Sequence, residues 1–303
     1  MPSSTDHWVV VLNYEGRADT LELLADLEPG TGQFTLLVVD NGSSDGLLDD
    51  LDTETRWEWV RTLQTGSNLG YAGGNNAGIR LALAAGATSI CVLNNDTRVT
   101  PRALARLFEL AVDGLALCPD IAYTDDRDGS WFRGARFDQA SGRPVHLGSA
   151  EQPVGPEPFP SPYLTGCCMV ASAAVWRKVG TFDESYFLIF EDSDWSARAH
   201  DAGVRLEVHP EVRIGHKVSR SFTGSRQGLG LYYYCRNGLR FARRRGPRGS
   251  LPRFFATQIA RPAGRDLMRR RWVPLAVRLV AVVQFPTRRS AAGRAVRALS
   301  RSA

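Results

Sequence analysis

The sequence predicts an α/β fold built on a mostly parallel central sheet flanked by helices. Three observations carry that expectation. Trp8 to Leu12 and Phe34 to Val39 are short continuous apolar runs, Leu21, Leu24 and Leu27 recur at helical spacing between them, and polar clusters follow each run directly. Runs without alternation belong to strands buried on both faces, the situation of parallel strands joined by right-handed helical crossovers.

Taken in order, Trp59 to Leu63 and Ile90 to Leu93 are two further strands, with a small-residue helix, Asn76 to Ala85, between them. Thr100 and Pro101 supply a helix cap and first turn, followed by Leu104, Leu107, Phe108 and Ala111 on one face. Residues 1–112 therefore read βαβ(loop)βαβα and form one half of a domain. Residues 113–239 read as the other half. Asp120 to Pro162 holds seven prolines and glycines between Gly142 and Pro158, behind Trp131, Phe132 and Phe137, which predicts loops and short antiparallel strands. Tyr163 to Ala171 is small and apolar, Ala173 to Val179 and Glu191 to Gly203 read as helices, and Leu206 to Ile214 alternates as a strand does. Beyond Leu229 a helix carrying Tyr232, Tyr233, Tyr234, Leu239 and Phe241 leads into a basic helical extension, 240–303.

The net charge of +5 conceals a strong asymmetry, because 240–303 carries 17 arginines against one acid, Asp266, which leaves −11 on 1–239. A basic extension on an acidic body points to a polyanion, either nucleic acid or an anionic membrane surface. Five scattered cysteines, Cys91, Cys118, Cys167, Cys168 and Cys235, suggest neither a disulfide framework nor a zinc site. The polar start, Met1 to His7, and the shortness of Trp8 to Leu12 argue against a signal peptide, so the cytoplasm is the expected location.

In an open parallel sheet, ligands bind beyond the carboxyl ends of the strands. Asn13 and Tyr14 follow the first strand, Asp40-Asn41-Gly42-Ser43-Ser44-Asp45 the second, and Asn94-Asn95-Asp96 the fourth. Asp40 can accept hydrogen bonds from a nucleotide, although Asp-Asn-Gly-Ser-Ser is equally good turn chemistry. From Asn68 to Gly78, four glycines and three asparagines precede a helix and read as a loop that lets backbone approach a diphosphate; neither a Walker loop nor a clean Gly-x-Gly-x-x-Gly is present. Asp96, at the tip of a buried strand, suits a hard cation shared with substrate phosphates. The stretch Phe182 to Trp195 is an apolar run bracketed by acids, ending in Glu191, Asp192 and Asp194. It reads either as carboxylates held against a hydrophobic wall or as a helix start whose acids complement the dipole.

Val-Val-Leu-Asn-Tyr, Val-Val-Asp-Asn-Gly-Ser-Ser-Asp-Gly, Asn-Leu-Gly-Tyr-Ala-Gly-Gly-Asn-Asn-Ala-Gly, Leu-Asn-Asn-Asp-Thr, Gly166-Cys-Cys-Met, Val-Gly-Thr-Phe-Asp-Glu-Ser-Tyr-Phe and Phe-Glu-Asp-Ser-Asp-Trp with His216 stand in order from about Val9 to Tyr234. Together they resemble family 2 glycosyltransferases of the GT-A fold, in the branch similar to bacterial rhamnosyltransferases. The resemblance implies an inverting transferase that moves a sugar from a dTDP- or UDP-sugar to an acceptor hydroxyl with the help of Mg²⁺ or Mn²⁺. It further implies that Asp40 holds the pyrimidine base while Asn13 and Asn75 line the nucleotide pocket. Tyr14, Asn41, Asn68, Gly70 and Asn95 complete the donor-binding candidates. Asp96, at the last position of the family's Asp-x-Asp motif, and His216 would be the metal ligands; Asn94 replaces the first acid of that motif. Asp192 corresponds to the general base, with Glu191 its nearest rival and Asp194 a support. The acceptor is a glycan, a lipid-linked intermediate or a small molecule.

Trp272 to Phe285 spans 14 residues with Pro274 and Arg278 inside it, short of the roughly 20 that cross a bilayer. With Arg269, Arg270, Arg271, Arg278, Arg288 and Arg289 around it, it either lies in the interface of an anionic membrane or packs on the body or on a second copy in a homodimer. A nucleotidyltransferase and a nucleic-acid-binding protein are the alternatives. A poor version of the early basic glycine-rich loop weighs against the first, and the acidic body against the second, so no nucleic-acid partner is expected.

Overall fold

The structure is a computed structural model that describes residues 6–125, 129–139, 141–218, 227–246 and 248–286. The first part of the chain gives β1 (His7–Asn13), α1 (Arg17–Leu27), β2 (Thr35–Asp40), α2 (Leu47–Thr53), β3 (Val60–Gln64), α3 (Gly70–Ala84), β4 (Ser89–Asn94), β5 (Thr97–Arg98) and α4 (Pro101–Leu110). There follow β6 (Leu115–Tyr123), β7 (Ser130–Phe132), β8 (Ala135–Phe137), β9 (Pro144–His146), β10 (Phe159–Pro160), β11 (Cys168–Ser172), α5 (Ala173–Val179), α6 (Glu191–Asp201) and β12 (Arg205–His216). The chain closes with α7 (Gln227–Arg244), α8 (Ser250–Phe254), α9 (Arg261–Met268) and α10 (Trp272–Gln284). It divides into two compact units: Met1–Arg136, His146–Phe182 and Trp195–Val218 form one, and Phe137–Val145, Asp183–Asp194 and Ser219–Ala303 the other.

The first unit is built on a sheet ordered β10-β12-β6-β11-β4-β1-β2-β3. β1 pairs in parallel with β2 and β4, and β2 with β3. The runs that predicted these strands, Val9 to Val11, Leu36 to Val39 and Ile90 to Val92, are fully buried, as two-sided coverage requires. β11 runs antiparallel to both β4 and β6, and β12 runs parallel to β6. The carboxyl ends of β1, β2, β4 and β12 therefore lie on one edge of the sheet.

Two parts of this sheet differ from the sequence expectation. The long buried strand β6 contains Pro119 and Asp120, which break its apolar run and conceal it. Its partner β12 jumps in register from His209 opposite Pro119 to Arg213 opposite Asp120, so a bulge sits where proline lacks a donor. The glycine-rich segment is also not a loop, since α3 already starts at Gly70. Gly70 takes a φ of 77° at the helix start, and two of the other glycines serve packing on the sheet. A Cβ on Gly74 would lie 2.4 Å from Leu12 Cδ1, and one on Gly78 2.4 Å from Val10 Cγ1 and 2.9 Å from Val39 Cγ2. The helix backbone thus rests on β1 and β2 at a distance only glycine permits. Gly78→Ala should lower stability by about 1–3 kcal/mol even though alanine is the better helix former, because overpacking outweighs a gain of about 1 kcal/mol in propensity. A drop in the urea midpoint at unchanged slope checks this.

The second unit has its own apolar core, in which Tyr186 and Phe190 meet Tyr232, Tyr233, Leu239 and Phe241 of α7, Phe254 of α8, Ile259, and Val277 and Ala281 of α10. The basic extension is thus partly internal. Arg278 donates to Asp266 Oδ2 at 3.1 Å and to the Gln258 carbonyl at 3.0 Å, and Tyr232 donates to Gln284 Oε1 at 2.7 Å. Helix α10 packs through its Val277 and Ala281 face, while Trp272, Leu279 and Val283 are exposed. Arg288 and Arg289 lie outside the described residues.

Candidate active site

Asn13, at the last position of β1, is fully buried and organises the sheet edge. Its Nδ2 donates to Asp40 Oδ1 at 3.2 Å, Ser43 Oγ at 3.1 Å and Asp45 Oδ2 at 3.1 Å, and its Oδ1 accepts from Thr20 Oγ1 at 3.0 Å. Its polar atoms are engaged inside the protein, so Asn13 orients Asp40. Asp40 also accepts from the Ser43 backbone at 3.2 Å, which makes the Asp-Asn-Gly-Ser stretch a turn and a carboxylate site at once. Two accepted bonds leave carboxylate lone pairs for a ligand N–H or O–H. Tyr14 is exposed beside this edge.

Asn41 donates to Asn68 Oδ1 at 3.2 Å and to the Gly70 carbonyl at 3.1 Å, and accepts from the Leu69 N–H at 2.9 Å. Asn68 in turn accepts from the Gly70 N–H at 2.8 Å. Asn41, Asn68 and Gly70 thereby tie the start of α3 to the end of β2. Asn75 donates to the Tyr71 carbonyl at 2.9 Å, while its Oδ1 is buried without a hydrogen-bond partner. A buried unsatisfied amide oxygen is costly unless something else fills the role.

After β4, Tyr71 donates to Asn94 Oδ1 at 3.0 Å and to the Gly166 carbonyl at 2.6 Å, and Asn95 turns back to donate to Thr20 Oγ1 at 2.9 Å. The two-residue strand β5 pairs antiparallel with the end of β12, Thr97 opposite His216. That register brings together residues 120 apart in sequence: Asp96 Oδ1 and His216 Nε2 stand 3.1 Å from each other, both buried. The His216 Nδ1 has no partner, and the Trp131 ring stands against the imidazole at 4.5 Å between centroids. Among the described residues no group of three or more His, Cys, Asp or Glu side chains is arranged to hold a metal. Asp96 and His216 are a two-residue set. Two ligands at about 2.1 Å on adjacent corners of an octahedron lie about 3 Å apart, and Mg²⁺-type sites take one or two protein ligands plus substrate phosphates, so this pair fits such a cation.

In the second unit the three acids that open α6 have different surroundings. Asp194 is buried and engaged: its Oδ1 accepts from Arg245 Nε at 3.1 Å and lies 3.4 Å from the Tyr186 hydroxyl. Glu191 is buried with Oε2 unpartnered, and burial, then the neighbouring Asp192 charge, push its carboxyl well above the usual carboxylate range. Asp192 is half-exposed and accepts from the Ser193 N–H and hydroxyl. Asp192 therefore stands nearer to solvent than Glu191, whose carboxyl is enclosed.

Glu191 also links stability to pH. It keeps its proton in the folded chain above the ordinary value of 4.5, whereas the unfolded chain releases it near 4.5. Stability from this group is complete below 4.5 and is lost as the pH rises from there through the folded value. Glu191→Gln should therefore melt higher than the parent at about pH 8, with the difference closing on acidification. Thermal denaturation across pH checks this; a pH-independent offset contradicts it.

The model of Glycosyl transferase family 2 matches residues 8–180. The chain belongs to glycosyl transferase family 2. The matched span holds Asn13, Asp40, Asn75 and Asp96 and ends before Glu191 and His216. This family 2 chain is 25% identical over 241 residues to a low-salt glycan biosynthesis hexosyltransferase of Haloferax volcanii, covering 76% of this chain and 73% of that one. It is 29% identical over 239 residues to the N-acetylglucosaminyl-diphospho-decaprenol L-rhamnosyltransferase of Mycobacterium tuberculosis, covering 70% and 76%. Among solved structures it resembles the mannosyltransferase PcManGT of Pyrobaculum calidifontis in complex with GDP-Man and Mn²⁺, with a TM-score of 0.55 at 16% identity, covering 100% of this chain and 82% of that one. It also resembles GalNAc-T7 with UDP, GalNAc and Mn²⁺, with a TM-score of 0.57 at 16% identity over 84% of this chain; there it spans about half of the longer protein, 54%. These likenesses show the GT-A glycosyltransferase fold. Glycosyl transfer is the activity of this chain, in place of the nucleotidyl transfer weighed from sequence.

Sequence reasoning missed Trp131 beside His216, the α7 residues Arg236 and Asn237, and Arg245 just after that helix. Arg236, Asn237 and Arg240 leave a trace in sequence as polar residues among the aromatic and apolar ones of α7.

Proposed function

We propose that this glycosyltransferase is an inverting, metal-dependent hexosyltransferase that moves a sugar, rhamnose first among the candidates, from a dTDP- or UDP-sugar to an acceptor hydroxyl. One observation carries the reading: the meeting of Asp96 and His216 at 3.1 Å, on the sheet edge where Asp40 also stands. Asp40 would accept hydrogen bonds from the base. Asp96 and His216 would hold Mg²⁺ or Mn²⁺, which when bound offsets charge on the departing diphosphate. Support comes from the neighbours solved with Mn²⁺. Asp192, half-exposed beside the buried Glu191, would take the acceptor's proton as that oxygen attacks the anomeric carbon from the side opposite the leaving group. Asp194, fixed by Arg245, would position the start of α6. A thermal-shift panel of nucleotide sugars with Mg²⁺ or Mn²⁺ tests the reading: a dTDP- or UDP-sugar should stabilise the chain more with the metal than without it.

A lipid-linked acceptor is favoured by the relative whose substrate name includes diphospho-decaprenol. No helix among the described residues is long and apolar enough to cross a membrane. The corner between α9 and α10 exposes Leu267 and Met268, then Arg269, Arg270 and Arg271, then Trp272. Apolar side chains beside a basic triplet suit the surface of an anionic bilayer. Replacing Met268 and Trp272 by Ser should reduce co-sedimentation with phosphatidylglycerol vesicles, and phosphatidylcholine vesicles should bind neither form.

A further inference from the structure

We propose that Asn237 is a positioning residue for the transfer step: from α7 it holds the segment between Ser185 and Glu191 in a strained path that fixes where Asp192 points. The inference rests on Asp192 being the base. Phe187, Ile189 and Phe190 have φ of 64°, 68° and 76°, the left-handed region that side chains other than glycine rarely adopt. Such outliers persist only where the surroundings over-determine them, and they gather at functional sites.

Those surroundings are one buried helix face. Asn237 is fully buried, and its Nδ2 donates to the carbonyls of Tyr186 at 2.7 Å, Leu188 at 2.7 Å and Ile189 at 3.0 Å. Its orientation is fixed because its Oδ1 accepts from Arg236 Nη1 at 2.8 Å. Arg236 and Arg240 each donate to the Ser185 carbonyl at 3.0 Å. The Phe187 ring stacks on Tyr233 at 5.1 Å, and Phe190 packs near Phe241 at 5.6 Å. The Phe190 carbonyl then accepts from the Asp194 N–H at 2.9 Å, so the last strained residue is also the residue on which α6 begins. A tilt of this segment moves Glu191 and Asp192 directly. The Asn237 amide and the two guanidinium groups of α7 thus supply donors to the carbonyls of Ser185, Tyr186, Leu188 and Ile189, of which Tyr186 also accepts from the Leu188 N–H at 2.7 Å.

The test compares the full chain with Asn237→Ala, and with Asn237→Ala combined with Ile189→Gly, since glycine takes the left-handed region without strain. Hydrogen exchange needs no ligand. Exchange at 186–192 should accelerate by about tenfold or more in Asn237→Ala while α10 keeps its protection. With the nucleotide sugar identified by thermal shift, kcat should fall by about tenfold or more with donor KM within about twofold, because misplaced catalytic groups reduce kcat more than ground-state binding. The added glycine should restore part of kcat. Unchanged exchange at 186–192, an equal loss of protection in α10, or an unchanged kcat each overturns the inference. Asp192→Asn, assayed alongside, separates the two claims: if it stays active, the base assignment has failed; if it is inactive while Asn237→Ala is fully active, the positioning claim alone has failed.

Discussion

Asp192→Asn should lower kcat for sugar transfer by about 1,000-fold while leaving the affinity for the nucleotide sugar nearly unchanged, within the range that loss of a general base produces. The expectation follows from the different surroundings of the three acids that open α6. Asp194 is engaged by Arg245 and Tyr186, so its charge is spent on structure. Glu191 is buried and pushed toward its neutral form, whereas Asp192 is half-exposed. The substitution preserves size and the capacity to accept from Ser193, so calorimetric titration with the donor should match the parent. Turnover within tenfold of the parent would remove Asp192 from the mechanism and bring Glu191 forward.

His216→Ala should abolish the metal dependence of donor binding and lower turnover by about 100-fold or more, since a cation offsetting diphosphate charge supplies several kcal/mol to the transition state. Each variant would keep one of the two proposed ligands, so the cation would be held by a single side chain and the substrate phosphates, and far more weakly. Asp96→Asn should act in the same direction, and more strongly, because it removes the negative charge as well as a ligand. Titration of nucleotide affinity against Mn²⁺ reads both. The parent's affinity should rise with the metal and the variants' should not; equal metal response in parent and variants contradicts the two-ligand site.

Much of the fold was legible in the sequence, and the exceptions have physical causes. Continuous apolar runs gave away β1, β2 and β4 because burial on both faces removes alternation. The strand ends were readable as polar clusters, and the motif resemblance drew Asp40, Asp96, Asp192 and His216 into one set. The glycine segment misled because glycine serves loops and tight helix packing equally well; only the nearness of Val10 and Val39 decides for packing. β6 was hidden by Pro119, whose missing donor is absorbed by a bulge in a partner strand some ninety residues later in the chain. Spacing could not rank Glu191, Asp192 and Asp194, which lie within one turn. Arg245, just past the end of α7, engages Asp194, and Asn237, within α7, bonds the chain before them, in a stretch whose sequence reads mainly as aromatic packing.

The stereochemistry of the product tests the central claim most directly. Proton NMR of the first-formed sugar product, followed during turnover of the donor that thermal shift identifies, should show an anomeric configuration opposite to the donor's, as a single displacement requires. Retention of the donor's configuration, or the absence of turnover of any dTDP- or UDP-sugar with either Mg²⁺ or Mn²⁺, would contradict it.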